Sequence, residues 1–224
     1  TLNYRSKSAV KNTRREDTGA PLLEARDLEL WRGDRRLFKG MSLAVHESEL
    51  LHITGPNGCG KTSLLRVLCG LTLPETGTVT WKGRQVARSR ADYHSEMCYV
   101  GHRESLKADL SAFENLGFDL GLRRDAGPDV VRSVLEEVGL EPAADVPSRS
   151  LSAGQKRRVS IARCLASKAR LWVLDEPYTN LDVAGREFVD EMMTRHLQNK
   201  GLVLLVAHQS HGVAGQTVRQ MEMG

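Results

Sequence analysis

Residues 50 to 68 constrain this chain more than any other stretch. An apolar run, Leu50-Leu51-His52-Ile53, leads into Gly55-Pro56-Asn57-Gly58-Cys59-Gly60-Lys61-Thr62-Ser63. Leu64-Leu65-Arg66-Val67-Leu68 then continues as a helix start. Gly55, Gly60, Lys61 and Thr62 satisfy G-x-x-x-x-G-K-[ST] between a predicted strand and a predicted helix. Glycines let successive backbone N–H groups curl around a polyphosphate, and the helix behind them directs its positive end at the same charge. Lys61 is then placed to reach the β- and γ-phosphates of a nucleotide, and Thr62 to ligate magnesium.

Other short apolar runs recur at Ser42–Val45, Cys98–Val100, Leu171–Leu174 and Leu202–Ala207, and each is expected to be a buried strand of an α/β sheet. Thr78–Trp81, a turn at Lys82-Gly83-Arg84 and Gln85-Val86 predict an antiparallel hairpin, so the sheet system is mixed. From 111 to 149 the pattern changes. Phe113, Leu116, Phe118 and Leu120, then Val130, Val131, Val134, Leu135 and Val138, fall at helical spacing, bounded by Gly127-Pro128 and Gly139. A helical lobe over about 103–150, inserted between two strands, is the expectation.

The 224 residues suffice for one domain, drawn at 21–224. The net charge of +4 is misleading until it is located, because residues 1–20 hold five Lys/Arg against Glu16 and Asp17. That leader is expected to be a disordered basic tail, and the rest is near neutrality, with no basic face for nucleic acid. Cys59, Cys69, Cys98 and Cys164 form no CxxC or zinc spacing, which favours a reducing compartment over a disulfide framework. No apolar run approaches the roughly 20 residues of a membrane span, and no signal-peptide core opens the sequence.

Leu171–Leu174 delivers Asp175-Glu176-Pro177 at its carboxyl end, on the side of the sheet where the phosphate loop is expected. Asp175, in line with the strand, suits the outer coordination of magnesium, and Glu176 can polarise an attacking water. A second anion-binding helix end is predicted where Leu151-Ser152-Ala153-Gly154-Gln155-Lys156-Arg157-Arg158 precedes an amphipathic helix with Val159, Ala162 and Ala166 on its apolar face.

With two phosphate-binding ends in one chain, the sequence resembles the ATP-binding cassette (ABC) family. The phosphate loop, the signature Leu151–Gln155, Asp175-Glu176, the loop Asn180-Leu181-Asp182 and His208 after Leu204–Ala207 fall in that family's order across residues 22–208. The resemblance implies an α/β P-loop fold with a mixed core sheet, an antiparallel β subdomain and the helical lobe. It also implies ATP and Mg2+ as cofactors. Two cassettes are expected to pair head to tail, so that Ser152, Ala153, Gly154, Gln155 and Asp182 complete the nucleotide site of the partner. Lys61, Glu176 and the switch histidine His208 are then the catalytic set, with Thr62, Asp175 and His102 toward the metal.

Three departures stand out. Ala153 replaces the commonest signature glycine. The adenine-stacking aromatic usually lies about where Arg32 stands; its neighbour Trp31 either stacks or belongs to the core. His102 replaces the glutamine usual after Tyr99-Val100-Gly101, and it points either into the site or outward to a membrane partner.

Gly101-His102, Leu106–Leu116, Thr72–Gly77, Thr78–Gly83, the signature with Ala153 and Ala207-His208-Gln209 are similar to the ATP-binding subunit of the cytochrome c maturation (Ccm) haem exporter. That branch implies membrane-spanning exporter subunits, a periplasmic haem chaperone reached indirectly, and a place on the cytoplasmic face of the inner membrane. A motor for another solute, or a soluble cassette acting on nucleic acid or ribosomes, are the alternatives.

Overall fold

The computed structural model describes residues 19–102, 105–121, 127–208, 213 and 217–224. The expected basic leader lies outside these except for Gly19 and Ala20. The first two residues of the expected lobe, the segment 122–126 within it, and Gln209 also lie outside.

Every residue of β7 (Leu171–Asp175) and β8 (Leu202–Val206) is buried, and the two-residue period of a strand sends them to two different cores. Leu171, Val173, Leu202, Leu204 and Val206 enter one, while Trp172, Leu174, Val203 and Leu205 enter the other. A sheet covered on both faces therefore reads as a continuous apolar run rather than an alternation. These strands lie in a parallel sheet ordered β6-β7-β8-β3-β9, with β3 at Glu49–Thr54, β6 at Met97–Val100 and β9 at Thr217–Glu222.

The second sheet, ordered β2-β1-β4-β5, is antiparallel: β1 is Leu23–Arg32, β2 Arg35–Val45, β4 Thr76–Trp81 and β5 Arg84–Gln85. Its inward side chains, Leu23, Leu28, Phe38 and Trp81 among them, close over helix α1 (Lys61–Leu68) and the first face of the parallel sheet. The predicted hairpin is β4-β5, turned at Lys82 (φ 49°) and Gly83 (φ 76°). One expectation is corrected here. Ser42–Val45 does not join the α/β sheet; it is the end of β2, whose Leu43 to Val45 pair with Leu23 to Ala25 of β1. Local hairpin pairing captured it.

Helix α2 (Arg90–Ser95) precedes β6. Between β6 and β7 come α3 (Ala112–Gly121), α4 (Pro128–Glu137) and α5 (Ala153–Ser167), which bury a third cluster built on Leu116, Leu120, Val131, Leu135, Val159 and Ala162. Phe118 and Val130, expected on the apolar faces, are exposed. Helix α6 (Val183–Gln198) covers the second face of the parallel sheet through Val189, Met192, Met193 and Leu197. Among the described residues, no helix is long and apolar enough to cross a membrane.

Candidate nucleotide-binding site

Three parallel strands end in one row. Asp175 of β7 is level with Val206 of β8, and Val206 is level with Ile53 of β3. The residues that follow these strands therefore converge on one edge of the sheet, where they line a cavity of about 790 Å³. Its walls include Gly58, Lys61, Thr62, Asp175, Glu176 and His208.

The phosphate loop is held open by its own backbone. Gly55 takes φ 145°, where an added Cβ would overlap the Met223 carbonyl, and Gly60 takes φ 110° at the N-cap of α1. Both demand glycine. Helix α1 has no side-chain cap and no acid in its first turn, so its leading N–H groups present an unneutralised positive end to the cavity. Lys61 Nζ donates back to the carbonyls of Gly55 at 2.8 Å and Pro56 at 3.0 Å, and so lies along the loop. Pro56 and Asn57 are exposed, with Asn57 and Ser63 on the cavity wall. Cys59 is half-buried and packs against the first core instead.

Thr62 Oγ1 donates to Asp175 Oδ2 at 2.9 Å. A hydroxyl and a buried carboxylate, both hard oxygen donors beside a phosphate loop, suit magnesium, which takes few protein ligands and fills its shell with phosphate and water. Burial, and then the Asp175 carboxylate, push the Tyr99 hydroxyl up to about 12, so it stays a protonated donor on the cavity wall. In sequence Tyr99 shows only as a strand residue; its half-burial between buried neighbours is visible in the structure alone.

Glu176 leaves the strand in the left-handed region, φ 53°, at a cost of about 1 kcal/mol for a residue with a Cβ. Its N–H donates to the Val206 carbonyl at 2.8 Å, which fixes the turn to β8. His208 Nε2 comes within 3.5 Å of Glu176 Oε1. His52, otherwise a core histidine, lies 3.1 Å from the Ala207 carbonyl and steadies the residue before His208. His102 is exposed on the cavity wall, one residue beyond Gly101.

The remaining predicted residues lie elsewhere. Trp31 is 43% exposed, bonded to Glu29 and outside the cavity, whose wall carries Arg32; the core reading of Trp31 is thereby excluded. Ser152 and Gln155 form a capping box at the start of α5, with Gln155 N–H donating to Ser152 Oγ at 3.2 Å and Ser152 N–H to Gln155 Oε1 at 2.9 Å. Ala153 and Gly154 lie between them, and none of the four lines this chain's own cavity. Asp182 caps α6; the Gly185 N–H, and then Arg158, hold its carboxyl below the usual range.

A glycine loop at a helix end, a strand-borne acid pair and a histidine beyond the next strand define a P-loop nucleotide-binding cassette. The ABC transporter profile matches residues 38–179. The chain is 47% identical to the cytochrome c biogenesis ATP-binding export protein CcmA of Methylococcus capsulatus, over 88% of this chain and 95% of that protein. The proteins of the same name from Dechloromonas aromatica and Escherichia coli K12 are 41% and 40% identical, over 91% and 90% of this chain and 100% and 96% of their own lengths. Among solved structures, an ATP-binding subunit of an ABC transporter superposes with TM-score 0.76 at 24% identity, covering 84% of this chain and 79% of that one. A dimeric post-hydrolysis state of an ATP-binding cassette bound to ADP and Pi also gives 0.76, at 22% identity, with 84% and 88% covered. These two show the fold. The chain belongs to the ABC transporter family and, within it, to the CcmA cytochrome c biogenesis ATP-binding export proteins.

Proposed function

We propose that this chain is the ATP-hydrolysing subunit of the export complex of cytochrome c biogenesis, powering haem export or release of a haem-loaded chaperone. The cassette is residues 21–224, with about 103–150 as its helical lobe. The observation that carries the reading is the convergence of Lys61, Thr62, Asp175, Glu176 and His208 on one cavity in a chain this similar to CcmA proteins.

The loop amides and Lys61 hold the β- and γ-phosphates of ATP. Thr62 and Asp175 would hold Mg2+, which would neutralise phosphate charge. Glu176 takes the proton of the attacking water and His208 orients the reacting end, while His102 lines the same wall. Ser152, Ala153, Gly154, Gln155 and Asp182 do not line this chain's cavity, which supports their use in trans by a second, head-to-tail copy. ATP then closes the pair and hydrolysis reopens it.

The chain sits peripherally at the cytoplasmic face of the inner membrane, its partners are membrane-spanning exporter subunits, and a periplasmic haem chaperone is reached through them. The near-neutral folded region supports no nucleic-acid partner. Affinity purification of the full chain from membranes tests this reading. Membrane subunits should co-purify with ATPase activity, and Lys61→Ala should abolish both that activity and cytochrome c maturation. Active chain recovered without any membrane protein, from cells that mature cytochrome c normally when it is deleted, would overturn it.

A further inference from the structure

Lys156, Arg157 and Arg158 read in sequence as one basic patch at the start of α5, yet the helix sends them in three directions. Arg158 reaches the Val138 carbonyl and Asp182. Lys156 stays near the surface. Arg157 is 1% exposed and runs into the protein behind the cavity.

Its guanidinium meets backbone from two separate loops. Nε donates to the Pro177 carbonyl at 3.0 Å, while Nη2 donates to the carbonyls of Asp175 at 3.0 Å and Glu176 at 2.7 Å. Nη1 donates at 2.8 Å to the carbonyl of Gly101, the residue before His102. Consecutive carbonyls converge on one group only where the chain curls, and the left-handed Glu176 supplies that curl. A buried arginine is a poor choice for packing alone, since an apolar side chain fills the same space without desolvating a charge. What a guanidinium adds is a planar fork of five donors with fixed angles.

We propose that Arg157 is a positioning residue for hydrolysis, locking the Glu176 turn and the His102 turn to each other and to the signature helix. Arg157 is not part of the cavity lining. It acts through the backbone under Glu176, so a rotation of α5 is felt at the hydrolytic carboxylate and at the loop leading toward the helical lobe in one movement. This rests on the proposed reading of Glu176 as the base.

The test uses the full chain with its co-purifying membrane subunits, as wild type, Arg157→Lys and Arg157→Gln, each also combined with Glu176→Gln. Positioning predicts a kcat lowered at least about tenfold while KM and the affinity for a fluorescent ATP analogue stay within about threefold. Arg157→Lys, which keeps charge but loses the fork, should recover only part of the rate at a melting temperature close to wild type. In single turnovers, either substitution should slow the Glu176→Gln protein by less than about twofold, because the group being positioned is already gone. A wild-type kcat in Arg157→Lys would overturn the inference. So would losses that multiply with Glu176→Gln, parallel losses of affinity and melting temperature, or failure of every variant to fold. A wild-type complex without ATPase activity would instead sink the functional reading beneath it.

Discussion

His208 Nε2 stands 3.5 Å from Glu176 Oε1, in the cavity that the phosphate loop also lines. The two residues arrive from adjacent strand ends, and the left-handed turn at Glu176 is what brings the carboxylate round to the histidine. Glu176→Gln keeps this shape and removes the proposed base. Hydrolysis should fall by about 10² to 10⁴ while ATP binding persists. Size-exclusion chromatography with ATP and Mg2+ should then show a dimer accumulating, and a protein that binds ATP yet stays monomeric would refute the head-to-tail pairing.

Asp175 is buried and takes the Thr62 hydroxyl, so its substitution reports on the metal rather than on the nucleotide base. Asp175→Asn should raise the Mg2+ concentration needed for half-maximal ATPase about tenfold, with metal-free ATP binding little changed. A magnesium titration of the ATPase checks this, and an unchanged midpoint would remove Asp175 from the metal's surroundings.

Cys69, Cys98 and Cys164 are buried, whereas Cys59 is half-buried within the phosphate loop. Alkylation of the native protein should therefore start at Cys59 and block ATPase, with bound ATP protecting. Cys59→Ser should resist. Equal sensitivity of the serine variant, followed by peptide mass mapping, would point to another cysteine.

The His196 ring stacks on Trp172 at 3.7 Å and 6°, and burial lowers its pKa to about 4 from 6.5. Folded, the ring is neutral; unfolded, it takes up a proton as pH falls below 6.5. The unfolded state thus binds more protons between pH 6.5 and 4, and stability must decline through that window as pH falls. Urea titrations should show this residue contributing about 2 kcal/mol of extra loss between pH 7.5 and 5. The difference should vanish in His196→Phe, and an identical decline in both proteins would assign the loss elsewhere.

Gly201 lies so close to that ring that an added Cβ would overlap it. Gly201→Ala should displace His196 from Trp172 and cost about 1 to 3 kcal/mol by overpacking. The site is formed at the opposite ends of β7 and β8, so ATP affinity should hold. Calorimetry with a nucleotide titration on the same sample checks both, and an unchanged melting temperature would mean that the ring moves freely.

The strands buried on both faces, β3, β7 and β8, were legible because two cores leave no polar positions to interrupt the run. Arg32 to Arg35 and the register shifts along β1 blurred its pattern, and β9, an edge strand with exposed alternate residues, carried too weak an apolar signal to stand out. Phe118 shows the reverse: apolar spacing places it in the core, yet it is 47% exposed on α3, with Lys107 over its ring.

By itself the sequence determined the chemistry that short segments carry: the glycines and Lys61 of the phosphate loop, the acid pair after an apolar strand, the signature before its helix. Local backbone geometry and strand period act over a few residues, so those features are written where they operate. Only the tertiary structure decided which of them meet. The 2.9 Å bond from Thr62 to Asp175 spans 113 residues, and it exists because β8 pairs with both β7 and β3. Likewise, Lys156, Arg157 and Arg158 are equivalent as letters. It is the 100° step of the helix, set against one particular sheet edge, that turns Arg157 inward to the carbonyls of Gly101 and Glu176 and leaves its neighbours to other work.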